Sequence, residues 1–100
     1  MVEIPHNVMA LAHDVARLVR AAVAPDARVI LFGSWAKGTA FPRSDLDIAI
    51  DAGGPIRPAK LVRVGDELEK LRTLRKIDLI DLNETALDLR AEVLAHGIEL

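Results

Sequence analysis

The 100-residue chain contains no cysteine and only three aromatic residues, Phe32, Trp35 and Phe41. Without cysteine it forms neither disulfide staples nor thiolate metal sites. No apolar run approaches the ~18 residues of a membrane span. The opening Met1-Val2-Glu3-Ile4-Pro5-His6 lacks the basic and apolar regions of a secretion signal. A soluble cytoplasmic protein with no membrane partner is therefore expected. Positive charge is not in excess either: 13 Lys and Arg stand against 15 Asp and Glu, a formal net charge of −2. Proteins that hold nucleic acid by neutralising phosphates are usually basic, so general DNA or RNA binding is disfavoured. Capture of one small nucleotide through metal ions is compatible with this balance. Neither Gly-x-x-x-x-Gly-Lys-Ser/Thr nor Gly-x-Gly-x-x-Gly occurs, which argues against a Walker loop and a dinucleotide-binding fold. His6, His13 and His96 show no metal-ligand spacing and read as ordinary surface or partly buried residues.

What the chain does have is apolar content, 51% of its residues, enough for one domain spanning residues 1–100 with a core of Leu, Val, Ile and Ala. Val8, Leu11, Ala12, Val15, Leu18, Val19 and Ala22 recur at helical spacing and predict an amphipathic helix over 6–23, ended by Pro25. Residues 28–32 read as a short central strand, 35–37 as one helical turn, and 39–44 as loop. Residues 45–50 alternate cleanly: Leu46, Ile48 and Ile50 point one way, Asp45, Asp47 and Ala49 the other. A helix over 59–73, a strand over 77–82 and a helix over 85–96 follow. Thr85 with Asp88 three residues on resembles a capping box, and Gly97 reads as the helix stop. Three strands with helices between them predict an α+β domain, a small mixed sheet covered by about four helices.

The chemistry concentrates between residues 31 and 50. Two Asp at i and i+2 of a strand project from one face, roughly 6–7 Å apart at the backbone. Their oxygens can converge on hard divalent cations, Mg²⁺ or Mn²⁺ rather than Zn²⁺. Two such ions ~3.5–4 Å apart can clamp the attacking and leaving oxygens of an in-line phosphoryl displacement. A third carboxylate normally completes such a site, and the 76–81 segment offers Asp78 and Asp81 on opposite faces. An Asp-x-Asp alone more often marks a solvent-facing strand. Here Gly33-Ser34 stands upstream, where a glycine allows close backbone approach and the Ser34 hydroxyl can donate to a phosphate oxygen.

Gly33-Ser34, ten residues, then Asp45-Leu46-Asp47 resembles the signature of the DNA polymerase β-like nucleotidyltransferases. The embedded Gly33-Ser34-x-Ala36-x-Gly38 and Ser44-Asp45-x-Asp47 are similar in particular to the minimal nucleotidyltransferases (MNT), antitoxins of HEPN/MNT toxin–antitoxin pairs. The resemblance implies a three-stranded mixed sheet flanked by helices. It implies that Ser34 binds a triphosphate which Gly33 lets approach, and that Asp45, Asp47 and the third carboxylate bind Mg²⁺ and carry catalysis. By position that third group matches Asp78 better than Asp81. The implied reaction moves AMP from ATP, with loss of pyrophosphate, onto a hydroxyl of a HEPN-type RNase toxin, a tyrosine, and so silences it. The alternatives are an antitoxin that binds and occludes the toxin without catalysis, and a transferase acting on a small molecule or an RNA end. This chain departs from the family pattern at Lys37, where Arg is frequent, and at Trp35, which is read as packing. With no substrate domain, its acceptor has to come from another protein or from a dimer mate.

Lys37 and Arg43 are the further candidates for phosphate contact. Lys70, Arg72, Arg75 and Lys76 form a basic cluster read first as complementing a helix C-terminus. The apolar tail Ile98-Glu99-Leu100 is read as a partner contact unless it docks on its own chain.

Overall fold

The computed structural model describes residues 3–100. Helix α1, His6–Ala22, buries Val8, Ala12, Val15, Ala16 and Val19 along one stripe, as the periodicity predicts. Strand β1, Arg28–Phe32, runs antiparallel to β2, Leu46–Asp51, with Phe32 opposite Asp47. Helix α3, Pro58–Glu69, crosses over the sheet so that β3, Ile77–Asp81, pairs parallel to β2, with Asp47 opposite Asp78. Such a parallel pair needs a crossover of this kind.

The sheet is larger than expected. A fourth strand, β4 (Ile98–Glu99), pairs antiparallel with the free edge of β1, giving the order β3-β2-β1-β4. The tail therefore docks on its own chain. Leu100 N–H donates to the Val29 carbonyl at 2.8 Å, and Arg20 donates to the Leu100 carbonyl at 2.8 Å. Those contacts cover an edge that would otherwise expose unpaired amides.

The alternation in β2 divides the core. Leu46, Ile48 and Ile50 join Val29, Leu31 and the α1 stripe in the main cluster, closed by Val64 of α3. Ala49 and Ile30 face the other way, against Leu82 and Val93. Val93 belongs to α4, Leu87–His96. Asp47 is on this second face by the same alternation, beyond the end of the apolar patch.

Two boundaries differ from the expectations. The predicted helix over 59–73 stops at Glu69, because tighter bonds take over: Lys70 N–H reaches the Glu67 carbonyl and Leu71 N–H the Leu68 carbonyl. The Thr73 hydroxyl then accepts from Arg75 N–H at 3.0 Å, a local bond that competes with continued helix. The Thr85–Asp88 capping box does not form. Thr85 Oγ1 instead donates to the Asp81 carbonyl at 2.7 Å, a 3₁₀ turn occupies Leu82–Glu84, and α4 starts at Leu87 without a side-chain cap. Gly97 does stop α4, for reasons of space: a methyl group there would overlap the Ile30 side chain and the Val93 carbonyl. Among the described residues no helix is long and apolar enough to cross a membrane.

Candidate active site

The site is built where β1 and β2 meet. β1 hands over to Gly33, whose φ of 76° and ψ of −151° lie where side chains are essentially excluded. The short helix α2, Ser34–Lys37, starts directly after it, and Gly38 closes that helix in the left-handed conformation. Gly33 is needed for a second reason: a Cβ there would collide with the Asp47 carboxylate. The turn that presents Ser34 and the strand that presents Asp47 therefore fit only because residue 33 has no side chain.

Asp47 is half-buried. Its carboxyl is held above its ordinary pKa, first by burial, then by the negative charges of Asp78 and Asp45, with Lys76 opposing. Lys76 Nζ lies 3.6 Å from Asp78 Oδ1, and none of the described ion pairs engages Asp45 or Asp47. Three acids thus share one region with one peripheral lysine against them. Among the described residues no three such groups already stand in ligand positions around a common point. The donor set nevertheless fits a hard cation: it is all carboxylate oxygen, and its mutual repulsion is what a divalent ion would relieve.

The linkage has a definite sign. A raised pKa means that the folded protein binds the Asp47 proton more tightly than the unfolded chain does. In metal-free protein Asp47 therefore favours folding at low pH, and that contribution is lost as pH rises from the ordinary aspartate range through its elevated pKa. Asp51 acts oppositely. Its carboxylate accepts from Asn83 Nδ2 at 2.9 Å and Gly53 N–H at 3.0 Å, which hold its pKa down. Its contribution is present above the ordinary range and lost as pH falls through the lowered value.

The other candidates separate clearly. Asp78 faces Asp47 across the β2–β3 ladder. Asp81 is used structurally: Oδ2 accepts from Ile56 N–H at 2.8 Å and Oδ1 from Asn83 N–H at 3.0 Å, tying β3 to the loop before α3. Asp81→Ala is expected to destabilise the fold by about 1–3 kcal/mol, the cost of stranding such donors. Asp78→Asn is expected to leave the melting temperature within a few degrees of wild type. Thermal unfolding of the two variants checks the contrast. Lys37 does not reach the acids; it pairs with Glu92 of α4. Arg43 is exposed in the loop before β2.

Sequence reasoning missed Arg75. Rather than serving a helix dipole, its Nη1 donates to the Ser44 carbonyl at 2.7 Å and the Pro42 carbonyl at 3.0 Å, and its guanidinium lies 5.2 Å from the Trp35 ring centroid. Trp35 is buried, as packing required, and its Nε1 donates to the Ser44 carbonyl at 3.3 Å. Phe41, the aromatic residue of the loop before β2, is exposed. Together Arg75 and Trp35 fix the loop that leads into Asp45. The sequence held no periodic signal for this, since all three bonds run to backbone carbonyls. Arg75→Ala is expected to accelerate amide hydrogen exchange over 41–46 at least about tenfold, corresponding to loss of ~1.4 kcal/mol of local protection. Mass-resolved exchange checks it.

Comparison with known proteins agrees with this geometry. Residues 25–100 match the family model for polymerase beta nucleotidyltransferases. Among solved structures, the chain is similar to a protein assigned as a minimal nucleotidyltransferase, with 26% identity, a TM-score of 0.74, and 98% of this chain and 97% of that one covered. It is also similar to a toxin–antitoxin crystal structure containing AMP-PNP, with 26% identity, a TM-score of 0.71, and 88% and 70% covered. A third structure shares the fold at 22% identity and a TM-score of 0.67, covering 92% and 70%. It is a Shewanella oneidensis complex of tri-AMPylated HEPN toxin with MNT antitoxin. No curated protein matches the chain in sequence. The matched segment holds the Gly33-Ser34 turn, the Asp45 and Asp47 carboxylates and the β3 acids, and the chain belongs to the polymerase β nucleotidyltransferase family.

Proposed function

We propose that this chain is the antitoxin of a HEPN/MNT pair and works as a Mg²⁺-dependent protein adenylyltransferase. The observation that carries the reading is the half-buried Asp47, its pKa raised by burial and by Asp78 and Asp45, with Gly33-Ser34 packed against it. Such uncompensated acids are the arrangement that a divalent ion and a triphosphate stabilise. The similarity to a toxin–antitoxin structure that contains AMP-PNP supports ATP as the nucleotide.

In this reading Ser34 donates to the triphosphate, and Gly33 permits the approach. Asp45, Asp47 and Asp78 hold Mg²⁺, or Mn²⁺ in its place. Bound there, the ions would neutralise charge on the transferring phosphate. Asp78 takes the proton of the acceptor hydroxyl as its oxygen bonds to the α-phosphorus. The bond from that phosphorus to the bridging oxygen breaks, and pyrophosphate leaves. Arg43, exposed beside Asp45, is the remaining phosphate candidate; Lys37 would first have to leave Glu92. These 100 residues contain no tyrosine, so a tyrosine acceptor does not lie among them.

Co-expression with a HEPN toxin, followed by intact-mass analysis of the toxin, tests this. Adenylyl increments on a toxin tyrosine are expected with wild type and not with Asp45→Asn. An unmodified toxin, bound and neutralised equally by both proteins, would instead establish occlusion.

A further inference from the structure

Asp45 stands just before β2, outside the ladder that sets Asp47 opposite Asp78. No described ion pair engages its carboxylate, so its backbone has to place it. Two rigid peptide planes flank its Cα. The first, between Ser44 and Asp45, carries the carbonyl that accepts from Arg75 Nη1 at 2.7 Å and from Trp35 Nε1 at 3.3 Å. A carbonyl oxygen has two lone pairs, and here two donors meet it. The second plane, between Asp45 and Leu46, carries the N–H that donates to the Lys76 carbonyl at 2.9 Å. Both backbone rotations of Asp45 are therefore held between anchored planes. The loop behind it is closed on itself: Ser44 N–H donates to the Phe41 carbonyl at 2.9 Å, and Ser44 Oγ accepts from Phe41 N–H at 2.8 Å.

The anchors come from the segments that carry the other site residues. Trp35 follows Ser34 directly in α2, and Arg75 and Lys76 lead into β3 and Asp78. The Ser44 carbonyl is thus the point where the chain segments of Ser34, Asp45 and Asp78 are tied together. The guanidinium of Arg75 lies 5.2 Å from the Trp35 ring centroid, so the two donors also hold each other. Trp35 is buried and Arg75 half-buried, which shields these bonds from competing water. The carboxylates of Asp45, Asp47 and Asp78 have still to converge on a common point. With the backbone already fixed, only the side chain of Asp45 remains to be ordered, which lowers the entropic cost of closing the site. We infer that Arg75 and Trp35 are positioning residues: clamped on the Ser44 carbonyl, they preset Asp45 against the Ser34 turn and the Asp47–Asp78 pair and so raise the affinity for the divalent cation. This rests on the Mg²⁺-dependent reading above. Neither residue touches the reacting atoms; both act through Asp45, as groups that orient a metal ligand do.

The test measures Mn²⁺ binding without nucleotide, by electron paramagnetic resonance, together with the melting temperature of each protein. Wild type is compared with Arg75→Ala, Arg75→Lys, Trp35→Phe and Asp81→Ala. Asp81→Ala is the control for instability alone, because its bonds tie β3 to a different loop. Arg75→Ala is expected to raise the Kd for Mn²⁺ about tenfold, the loss typical of a group that orients a ligand. Arg75→Lys keeps a cation and a single point donor, and recovers part of the affinity. Trp35→Phe keeps the ring and loses the N–H, and weakens binding less than Arg75→Ala; it carries the same test where Arg75→Ala does not fold. Asp81→Ala lowers the melting temperature and leaves Kd unchanged. In the transfer assay Arg75→Ala raises the Mg²⁺ concentration for half-maximal rate, and the rate approaches that of wild type at saturating Mg²⁺. A Kd indifferent to both Arg75→Ala and Trp35→Phe, Kd values that merely follow melting temperature through Asp81→Ala, or no Mn²⁺ binding by wild type would overturn the inference. Mn²⁺ binding weakened by Arg75→Ala, with no nucleotidyl transfer by wild type, would uphold the clamp and refute the adenylyltransferase reading. Transfer by wild type, with Mn²⁺ affinity indifferent to Arg75 and Trp35, would do the reverse.

Discussion

Asp47→Asn is expected to abolish nucleotidyl transfer while slightly stabilising the metal-free protein. The loss in kcat is expected to be on the order of a thousandfold, as when one preorganised charge-stabilising group is removed. The stability change has the opposite sign because Asp47 is strained electrostatically: burial, Asp78 and Asp45 all disfavour its charge. An amide of the same shape escapes that repulsion. Asp47 remains partly exposed, so solvent screening limits the gain to a few degrees in melting temperature near neutral pH. The gain shrinks as pH falls through the Asp47 titration, where the wild-type carboxyl also becomes neutral. Mg²⁺ is expected to raise the melting temperature of wild type and not of the variant, since an ion that binds only the folded state stabilises it. Thermal unfolding with and without Mg²⁺ at two pH values checks the stability changes, and a transfer assay checks the loss in kcat. A destabilised, Mg²⁺-responsive Asp47→Asn protein would show that Asp47 is structural and not a ligand.

Gly33→Ala is expected to damage both stability and transfer. At φ 76° and ψ −151° an alanine is strained by about 1–3 kcal/mol. Its methyl group would also collide with the Asp47 carboxylate, so either the turn or the acid has to move. For a domain of this size the strain alone lowers the melting temperature by roughly 4–8 °C per kcal/mol. Transfer is expected to fall at least about a hundredfold, because displacement of a reacting group by ~1 Å costs that much. The two effects are separable by measuring activity well below the variant's melting temperature. Activity at wild-type level in a folded Gly33→Ala protein would remove the turn from the site.

How much of this was legible in the sequence depended on the length of the signal. The apolar stripe of α1 and the alternation of Leu46, Ile48 and Ile50 repeat often enough to fix element type and buried face. Gly33-Ser34 and Asp45-x-Asp47 marked the candidate site because the two halves are close in sequence, one following β1 and the other opening β2. Alternation also set Asp78 and Asp81 on opposite faces. Which of them meets Asp47 depends on the parallel register of β2 and β3, and tertiary packing of the α3 crossover sets that register. β4 is only Ile98–Glu99, too short to show a period, and it exists because β1 leaves an edge to be paired. Thr85 carried a capping signal that a stronger local acceptor, the Asp81 carbonyl, overrode. Arg75 looked like surface charge, since nothing in a sequence shows a guanidinium reaching backbone carbonyls more than thirty positions away.

The most direct measurement of the central claim is transfer of radiolabel from α-labelled ATP with Mg²⁺ in a lysate of the source organism, comparing wild type with Asp47→Asn and using γ-labelled ATP as control. The account predicts a protein band labelled from the α-phosphate by wild type alone, with no label from the γ-phosphate. Label from the γ-phosphate, equal labelling by Asp47→Asn, or no labelled protein at all would contradict it.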